Sequence, residues 1–278
     1  MTDGPTGLVA FMGPRGTFSD IAVRAAFPGW PTLEVSTIPA VLDGVERGAA
    51  EYGVVPIENS TEGGVSATLA ALLESSLSIR GELVIAVSLC LAARHRDRSR
   101  FRRVASHSQP LAQCRRWLAR ELPGVELVSM SSTTTAAIEA ARDDQTAALT
   151  SRLGAELYQL ELVAEDIQDH ADNATRFVIV GHRGVARTGD DKTSLVFSTP
   201  HERGALRRAL GVFDDEGINL TRIESRPAAG KRWEYVFFTD LEGHAEDLNV
   251  ARALERLRAR CSTVRVLGSY PRARDSEK

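Results

Sequence analysis

The chain has 278 residues, of which 43% are hydrophobic and 26% charged, with a formal net charge of −3. That length accommodates two domains and a substantial core, and the charge balance excludes a global basic field of the kind that nucleic acid selects. Cys90, Cys114 and Cys261 show no metal-ligand spacing, and an odd count is a poor disulfide framework, so free thiols in a reducing cytosol are expected. No basic leader opens the chain and no apolar run approaches membrane-spanning length, which points to a cytoplasmic protein with no membrane partner.

In chain order, residues 8–12 read as a buried strand that ends in Gly13-Pro14-Arg15-Gly16-Thr17-Phe18-Ser19, with a helix over 20–27 capped by Ser19. A strand, a glycine turn and a helix start leave unpaired backbone N–H groups pointing out of the turn, which suits an anion. The spacing fits neither a Walker nor a dinucleotide fingerprint. A short strand (33–35) and a helix (38–47) follow. A third strand (52–57) then runs into Glu58-Asn59-Ser60-Thr61-Glu62-Gly63-Gly64-Val65 and a helix to about residue 74. Ligands of open α/β sheets sit beyond the carboxyl ends of the strands, so the loops at 13–19 and 58–64 are expected to face one crevice.

Residues 82–93 form a longer apolar run that is expected to cross to a second lobe, and the Arg-rich patch over 94–103 reads as a solvated loop. A strand (103–105) leads into Ser106-His107-Ser108-Gln109-Pro110. A helix (111–122), a strand (125–130), a hydroxyl-rich cap (131–135) with its helix (136–142), a strand (147–149), a helix (152–159) and a strand (162–164) complete the lobe. The alternation predicts an α/β fold of two lobes with mostly parallel sheets. The chain then reaches Asp172-Asn173-Ala174-Thr175-Arg176-Phe177, a polar cluster feeding the β-branched run Val178-Ile179-Val180. It reads either as a polar turn entering a core strand, with Arg176 a surface charge, or as a place where an amide, a hydroxyl and a guanidinium hold a polyanion. Residues 184–191 read as a linker. Beyond it, a β-α-β-β-α-β set with two amphipathic helices predicts a ferredoxin-like module, whose middle hairpin turns at Ala228-Ala229-Gly230-Lys231; a charged tail follows.

Several of these stretches together resemble the prephenate dehydratase family, over nearly the whole chain. Residues 13–19 resemble its opening loop, Pro56 to Val65 a long second signature, and Ser106 to Cys114 a third, with Ser108 where proline is common. Thr175-Arg176-Phe177 resembles the motif whose threonine the family treats as catalytic. Gly204-Ala205-Leu206 and Glu224-Ser225-Arg226-Pro227 resemble the two phenylalanine-binding motifs of its ACT regulatory domain, with Arg207 where an apolar residue is usual. The resemblance implies a two-lobed, periplasmic-binding-protein-like catalytic domain plus the ferredoxin-like ACT module. The expected division is 1–183 (lobe one about 1–81 and 170–183, lobe two about 82–169), linker 184–191, ACT domain 192–272 and tail 273–278. No chorismate-mutase helix precedes the first strand, as in the family's monofunctional form.

The implied reaction converts prephenate to phenylpyruvate without cofactor or metal. A cationic fork, hydroxyls and amides would suit a dicarboxylate that must lose a hydroxide. Thr175 is the expected catalytic residue. Thr17, Phe18, Asn59, Ser60, Thr61, Asn173, Arg176 and Phe177 are expected at the substrate, with Arg176 reading equally as a partner of Glu58 or an aspartate, and with Glu58, Ser106, His107 and Gln109 as further candidates; Glu58 reads as structural because a carboxylate is unfavourable beside an anion. Ser132, Thr133 and Thr134 read as helix caps. Gly204, Ala205, Leu206, Asn219, Leu220, Glu224, Ser225, Arg226 and Pro227 are expected at the effector, phenylalanine, in a homo-dimer or homo-tetramer. A solute-binding protein and a prephenate decarboxylase of the same fold are the competing readings.

Overall fold

The computed structural model describes residues 7–228 and 234–273; the expected hairpin turn at 229–231 and the tail from 274 lie outside them. The chain begins with β1 (Val9–Met12), α1 (Phe18–Ala26), β2 (Thr32–Val35), α2 (Ile38–Glu46), β3 (Tyr52–Asn59), the short β4 (Gly63–Gly64), α3 (Ser66–Glu74) and β5 (Ser78–Ala86). It then builds a second unit from β6 (Cys90–Ala93), β7 (Arg103–Ser106), α4 (Ser108–Gln113), α5 (Arg115–Glu121), β8 (Glu126–Ser129), α6 (Thr133–Arg142), β9 (Thr146–Thr150), α7 (Arg152–Leu157) and β10 (Glu161–Ala164). It returns to the first as β11 (Ala174–Gly181), and closes with β12 (Asp191–Ser198), α8 (Ala205–Asp215), β13 (Leu220–Pro227), β14 (Tyr235–Glu242), α9 (Leu248–Arg258) and β15 (Thr263–Pro271).

Among the described residues the strands form three sheets, ordered β2-β1-β3-β11-β5 with β4 on β3, β10-β6-β9-β7-β8, and β13-β14-β12-β15. The third is the β-α-β-β-α-β module. The first two sheets are mixed rather than mostly parallel, which corrects the expectation. β1 runs parallel to β2 and β3, but β11 lies antiparallel between β3 and β5. The reason is topological: two strands that carry the chain out to the second lobe and back must run in opposite directions. The crossing also falls later than residue 82, because β5 stays paired with β11 as far as Ala86.

Local chemistry accounts for other shifts. Helix α1 is capped by Thr17, whose Oγ1 accepts from Asp20 N (3.4 Å), so Ser19 falls inside the helix. The expected helix over 111–122 breaks at Cys114. The carboxylate of Asp169 accepts from the backbone N–H groups of Arg116 (3.0 Å) and Trp117 (3.3 Å) and caps α5 as a separate helix. The Arg-rich loop is held by surface ion pairs such as Arg98–Glu121 (2.9 Å) and Arg103–Asp143 (2.8 Å).

The third sheet covers one face with α8 and α9, around Phe197, Phe213, Leu241 and Leu254. Its other face is buried on the first unit, where Val196, Phe238, Leu267 and Tyr270 share a core with Ile79, Leu72, Val178 and Val180. The approach is close enough to require glycine at 268: a Cβ there would strike the carbonyl oxygen of Ile79 and lie 2.8 Å from its nitrogen. Arg265 fastens the joint by donating to the carbonyls of Ser75 (3.0 Å) and Leu72.

Candidate functional site

A cavity of about 240 Å³ opens where the first two units meet. Larger hollows exist, including one of about 660 Å³ lined by Glu51, Tyr52, Arg80 and His182, but it lies at the amino end of β3, away from the sequence motifs. The smaller cavity draws residues from all four motifs of the first two units. Thr17 and Phe18 enter from the first loop, Pro56 and Asn59 from β3, and His107 and Gln109 from the second unit. Ser131, Ser132 and Thr133 come from the start of α6, and Thr175 and Phe177 from β11.

Period-two alternation decides which residues of β11 reach it. Successive side chains of a strand point to opposite faces; Thr175 and Phe177 face the cavity, and Arg176 between them faces away. Its guanidinium, 11% exposed, contacts Glu82 (3.0 Å), Asp240 (2.6 Å) and Glu58 (3.1 Å). Burial opposes that charge, and Asp240 above all outweighs burial and raises the pKa, so the group stays a cation. The expected cationic fork in the site is therefore elsewhere. Among the described residues, the cavity lining contains no lysine, arginine, aspartate or glutamate.

Asn59 organises the wall around Thr175. Its Oδ1 accepts from the backbone N–H groups of Thr61 (3.0 Å) and Glu62 (3.2 Å), which fixes the orientation of the amide. The Nδ2 group must then face β11, where it donates to Asn173 Oδ1 (2.9 Å), Ala174 O (3.2 Å) and Thr175 Oγ1 (3.0 Å). Thr175 thus accepts on its oxygen, and its own O–H remains available to whatever occupies the cavity.

The other expected residues divide. Ser60 and Thr61 are exposed and lock the loop: Ser60 Oγ accepts from Ala174 N (2.9 Å), and Thr61 supplies the backbone donor to Asn59. Asn173 is 3% exposed and lies behind Asn59. Ser106 is fully buried and donates to Leu149 O (2.7 Å), outside the lining. His107 caps α4, its Nδ1 accepting from Gln109 N (3.4 Å), so a neutral ring carries its proton on Nε2. Glu58 sits on the Arg176 side of β3.

Gln113 was not expected. It lines the cavity with a buried Nε2 that has no protein partner, and its signal was present in the sequence, since it stands four residues after Gln109 on one helical face. Ser132 is a cap, as expected, accepting from Thr135 N (2.9 Å), yet it also lines the cavity with Thr133. The starts of α1 and α6 therefore aim at one space, each presenting the positive end of a helix. Ser151 Oγ donates to Gly16 O (2.7 Å) and joins the two units at its rim.

In the third sheet the effector candidates also divide. Gly204, Ala205 and Leu206 line a hollow of about 250 Å³ with Tyr235 and Phe237. Leu220 packs in the helix-covered core, and Asn219 O accepts from Glu242 N (3.0 Å). Ser225 and Pro227 lie on the exposed face of β13. Arg222, Glu224 and Arg226 face the first unit instead, and Glu224 occupies the space a Cβ on Gly64 would take.

Comparison with known proteins gives a consistent result. The family model for prephenate dehydratase matches residues 9–185, and that for the ACT domain matches residues 193–259. A bifunctional chorismate mutase/prephenate dehydratase of Aquifex aeolicus is 45% identical, over 95% of this chain and 74% of its own. Among solved structures, the prephenate dehydratase of Arthrobacter aurescens in complex with L-Phe is 39% identical, with a TM-score of 0.88 over 96% of this chain and 90% of its own. A protein described as a novel type of quorum quenching acylase, GqqA, is 34% identical, with a TM-score of 0.86 over 95% of this chain and 97% of its own.

Proposed function

The chain belongs to the prephenate dehydratase family, and we propose that the cavity between the first two units is where it turns prephenate into phenylpyruvate, with Thr175 serving the leaving hydroxyl. The reaction breaks two bonds of the substrate ring. The electrons of the C–CO2 bond enter the ring as carbon dioxide leaves, and the C–O bond opposite releases its pair to a hydroxide that takes up a proton to become water. Aromatisation drives the change. Transition-state stabilisation is therefore needed chiefly at the departing oxygen.

The observation that carries the assignment is the locked amide of Asn59. Because Oδ1 is held by Thr61 and Glu62, Nδ2 donates to Thr175 Oγ1 and the threonine O–H is left to donate into the cavity. A threonine is a weak acid, so it acts by position and by strengthening its hydrogen bond as charge grows on the leaving oxygen, the proton being replaced from solvent. The uncharged lining fits the other half of the reaction. A salt bridge to the ring carboxylate would hold the reactant more firmly than a transition state whose charge is moving into the ring. Amide and hydroxyl donors at the starts of α1 and α6, with Gln109 and Gln113, bind the carboxylates without that penalty, and Phe18 and Phe177 supply apolar walls for the ring.

We propose the division into a catalytic domain (1–183), a short linker and a regulatory domain from residue 192, and cytoplasmic residence. L-phenylalanine is the effector we assign to the hollow at Gly204, Ala205 and Leu206. A second copy would pair along the free edge of β13, giving a homo-dimer or homo-tetramer. Supporting the effector assignment are the ACT match and the L-Phe complex of the Arthrobacter protein.

One assay tests the reading. Purified protein is incubated with prephenate, and phenylpyruvate is followed by its alkaline absorbance. Formation of phenylpyruvate is expected. A decarboxylated, non-aromatic product would replace dehydration by decarboxylation, and prephenate left untouched while an acyl amide is hydrolysed would move the chain to the chemistry named for GqqA.

A further inference from the structure

The charged cluster behind Thr175 spans two domains. Arg176 and Glu58 face each other across β11 and β3, one residue from Thr175 and Asn59, which are themselves opposite partners. The ladder between these strands is irregular at this point: Arg176 pairs with Glu58 but Phe177 with Pro56, so Ile57 is left over. Pro56 has no N–H to donate, and a bulge loosens the local register. On the β3 side the ladder is therefore interrupted one residue from Thr175, while on the other side β5 pairs with β11 without a break from Ala174 to Ile179.

What spans the irregularity is side-chain charge, and the regulatory sheet supplies part of it. Asp240 on β14 contacts Arg176 at 2.6 Å, and its other oxygen accepts from Ser194 on β12 (2.6 Å), whose hydroxyl also meets the buried Tyr270 (2.6 Å). Lys192 on β12 contacts Glu82 at 2.7 Å, and Glu82 in turn holds the second arm of Arg176. Arg222 on β13 approaches Glu58 at 3.7 Å and pairs with Glu224, the residue set against Gly64. Glu58, Glu82 and Asp240 against Arg176, Lys192 and Arg222 make a balanced set, in which Arg176 touches all three carboxylates.

We propose that Arg176 is a positioning residue for the dehydration and that Asp240, carried by the regulatory sheet, is the group that holds it. The regulatory sheet thereby completes the catalytic strand rather than merely lying beside it. A change in how that sheet sits moves Arg176 and Glu58, and with them Thr175 and Asn59 on the opposite face. This rests on the reading of Thr175 given above.

The test compares variants on the full chain with prephenate as substrate. Asp240→Asn keeps the shape and removes the charge that faces Arg176. It is expected to lower kcat by about 10-fold or more while KM changes less than about threefold, which is a loss of about 1.4 kcal/mol realised in the transition state alone. Arg265→Met removes contacts of the same interface, to the carbonyls of Ser75 and Leu72, that share no group with Arg176, and is expected to leave kcat within about threefold of wild type. Ser194→Ala frees Asp240 more gently and is expected to lower kcat by a few-fold, which serves if Asp240→Asn does not fold. Equal effects of Asp240→Asn and Arg265→Met, or unchanged kcat in both Asp240→Asn and Ser194→Ala, would overturn the proposal. Failure of the wild type to form phenylpyruvate would instead remove the reading beneath it, so the two failures are distinguishable.

Discussion

Replacing Asn59 by aspartate tests the site at its most constrained point. Oδ1 keeps its role, because the N–H groups of Thr61 and Glu62 still need an acceptor. The second oxygen of Asn59→Asp, however, takes the place of Nδ2 and faces three acceptors: Asn173 Oδ1, Ala174 O and Thr175 Oγ1, all within 3.2 Å of the lost donor. Ala174 O retains Ser60 N as a partner (2.9 Å), so Asn173 Oδ1 is the buried acceptor that loses its donor, at a cost of about 1–3 kcal/mol of stability if the Asn173 amide keeps its orientation. Two nearby groups can donate to the new oxygen, the hydroxyl of Thr175 and the buried, unpartnered Nδ2 of Asn173 once that amide turns over; in either case Thr175 loses the donor that fixed its oxygen, and its hydroxyl is drawn away from the cavity. Loss of one aligned donor of this kind is expected to lower kcat about 10²–10³-fold at pH 8.

The pH dependence has a defined sign. A carboxyl facing three oxygens has a raised pKa in the folded state. Below that pKa it regains an O–H donor, so turnover of Asn59→Asp relative to wild type should rise as pH falls and be lost as pH rises through the folded pKa. Its stability deficit follows the same direction, growing as pH rises above the unfolded value. The assay is kcat for phenylpyruvate formation between pH 5.5 and 8, with thermal unfolding alongside. A variant within threefold of wild type at pH 8 would refute the assignment of the Asn59 amide and of the free Thr175 proton.

Other consequences are independent of the chemistry. Gly268→Ala drives a methyl into the backbone of Ile79; overpacking of about 1–3 kcal/mol should lower the melting temperature, and the segment between β11 and β12 should become more sensitive to protease. The Asp143 carboxyl accepts from Thr146 Oγ1 (2.5 Å) and Arg103 (2.8 Å), which lowers its pKa to about 2. The stability difference between wild type and Asp143→Asn, measured by urea unfolding, should therefore be full above the unfolded value of about 4 and vanish as pH falls towards 2. Cys114 is buried and its thiol pushed up to about 12 by burial. It should resist alkylation at pH 8 in the native protein, with half-buried Cys261 modified first; rapid labelling of Cys114 would contradict its packing.

Much of the site was legible because strand ends leave strong marks. The glycine turn at 13–19 and the polar run after Ile57 marked strand ends that meet the cavity through Thr17, Phe18 and Asn59, but the backbone N–H groups of Gly16, Thr61 and Glu62 turn to Asp20 and Asn59 instead. Of the two readings of Arg176, a fork for the substrate or a partner of Glu58 or an aspartate, the structure takes the second, and for a specific reason. Its stretch was read as a loop, where neighbouring side chains are free to converge, whereas β11 begins at Ala174 and strand parity sends Arg176 to the face opposite Thr175. Ser60 and Thr61 stand just beyond β3 and serve the loop rather than the cavity, so residue type alone overstated them. The docking of the regulatory sheet had a signal that went unused. Thr193-Ser194-Leu195-Val196-Phe197 is buried throughout, and a sheet with one solvated face would alternate apolar and polar residues more cleanly. What no local pattern carried was the partner of each charge: Glu82, Asp240 and Arg176 are 64 to 158 positions apart in pairs and meet only through the arrangement of two sheets.

The most direct measurement is phenylpyruvate formation by Thr175→Val, which keeps the shape of the side chain and removes its proton. The account predicts that kcat falls by about 10²–10⁴-fold while prephenate binding, measured by calorimetry, stays within a few-fold of wild type. Turnover close to that of the wild type would show that the leaving hydroxyl is served by another group.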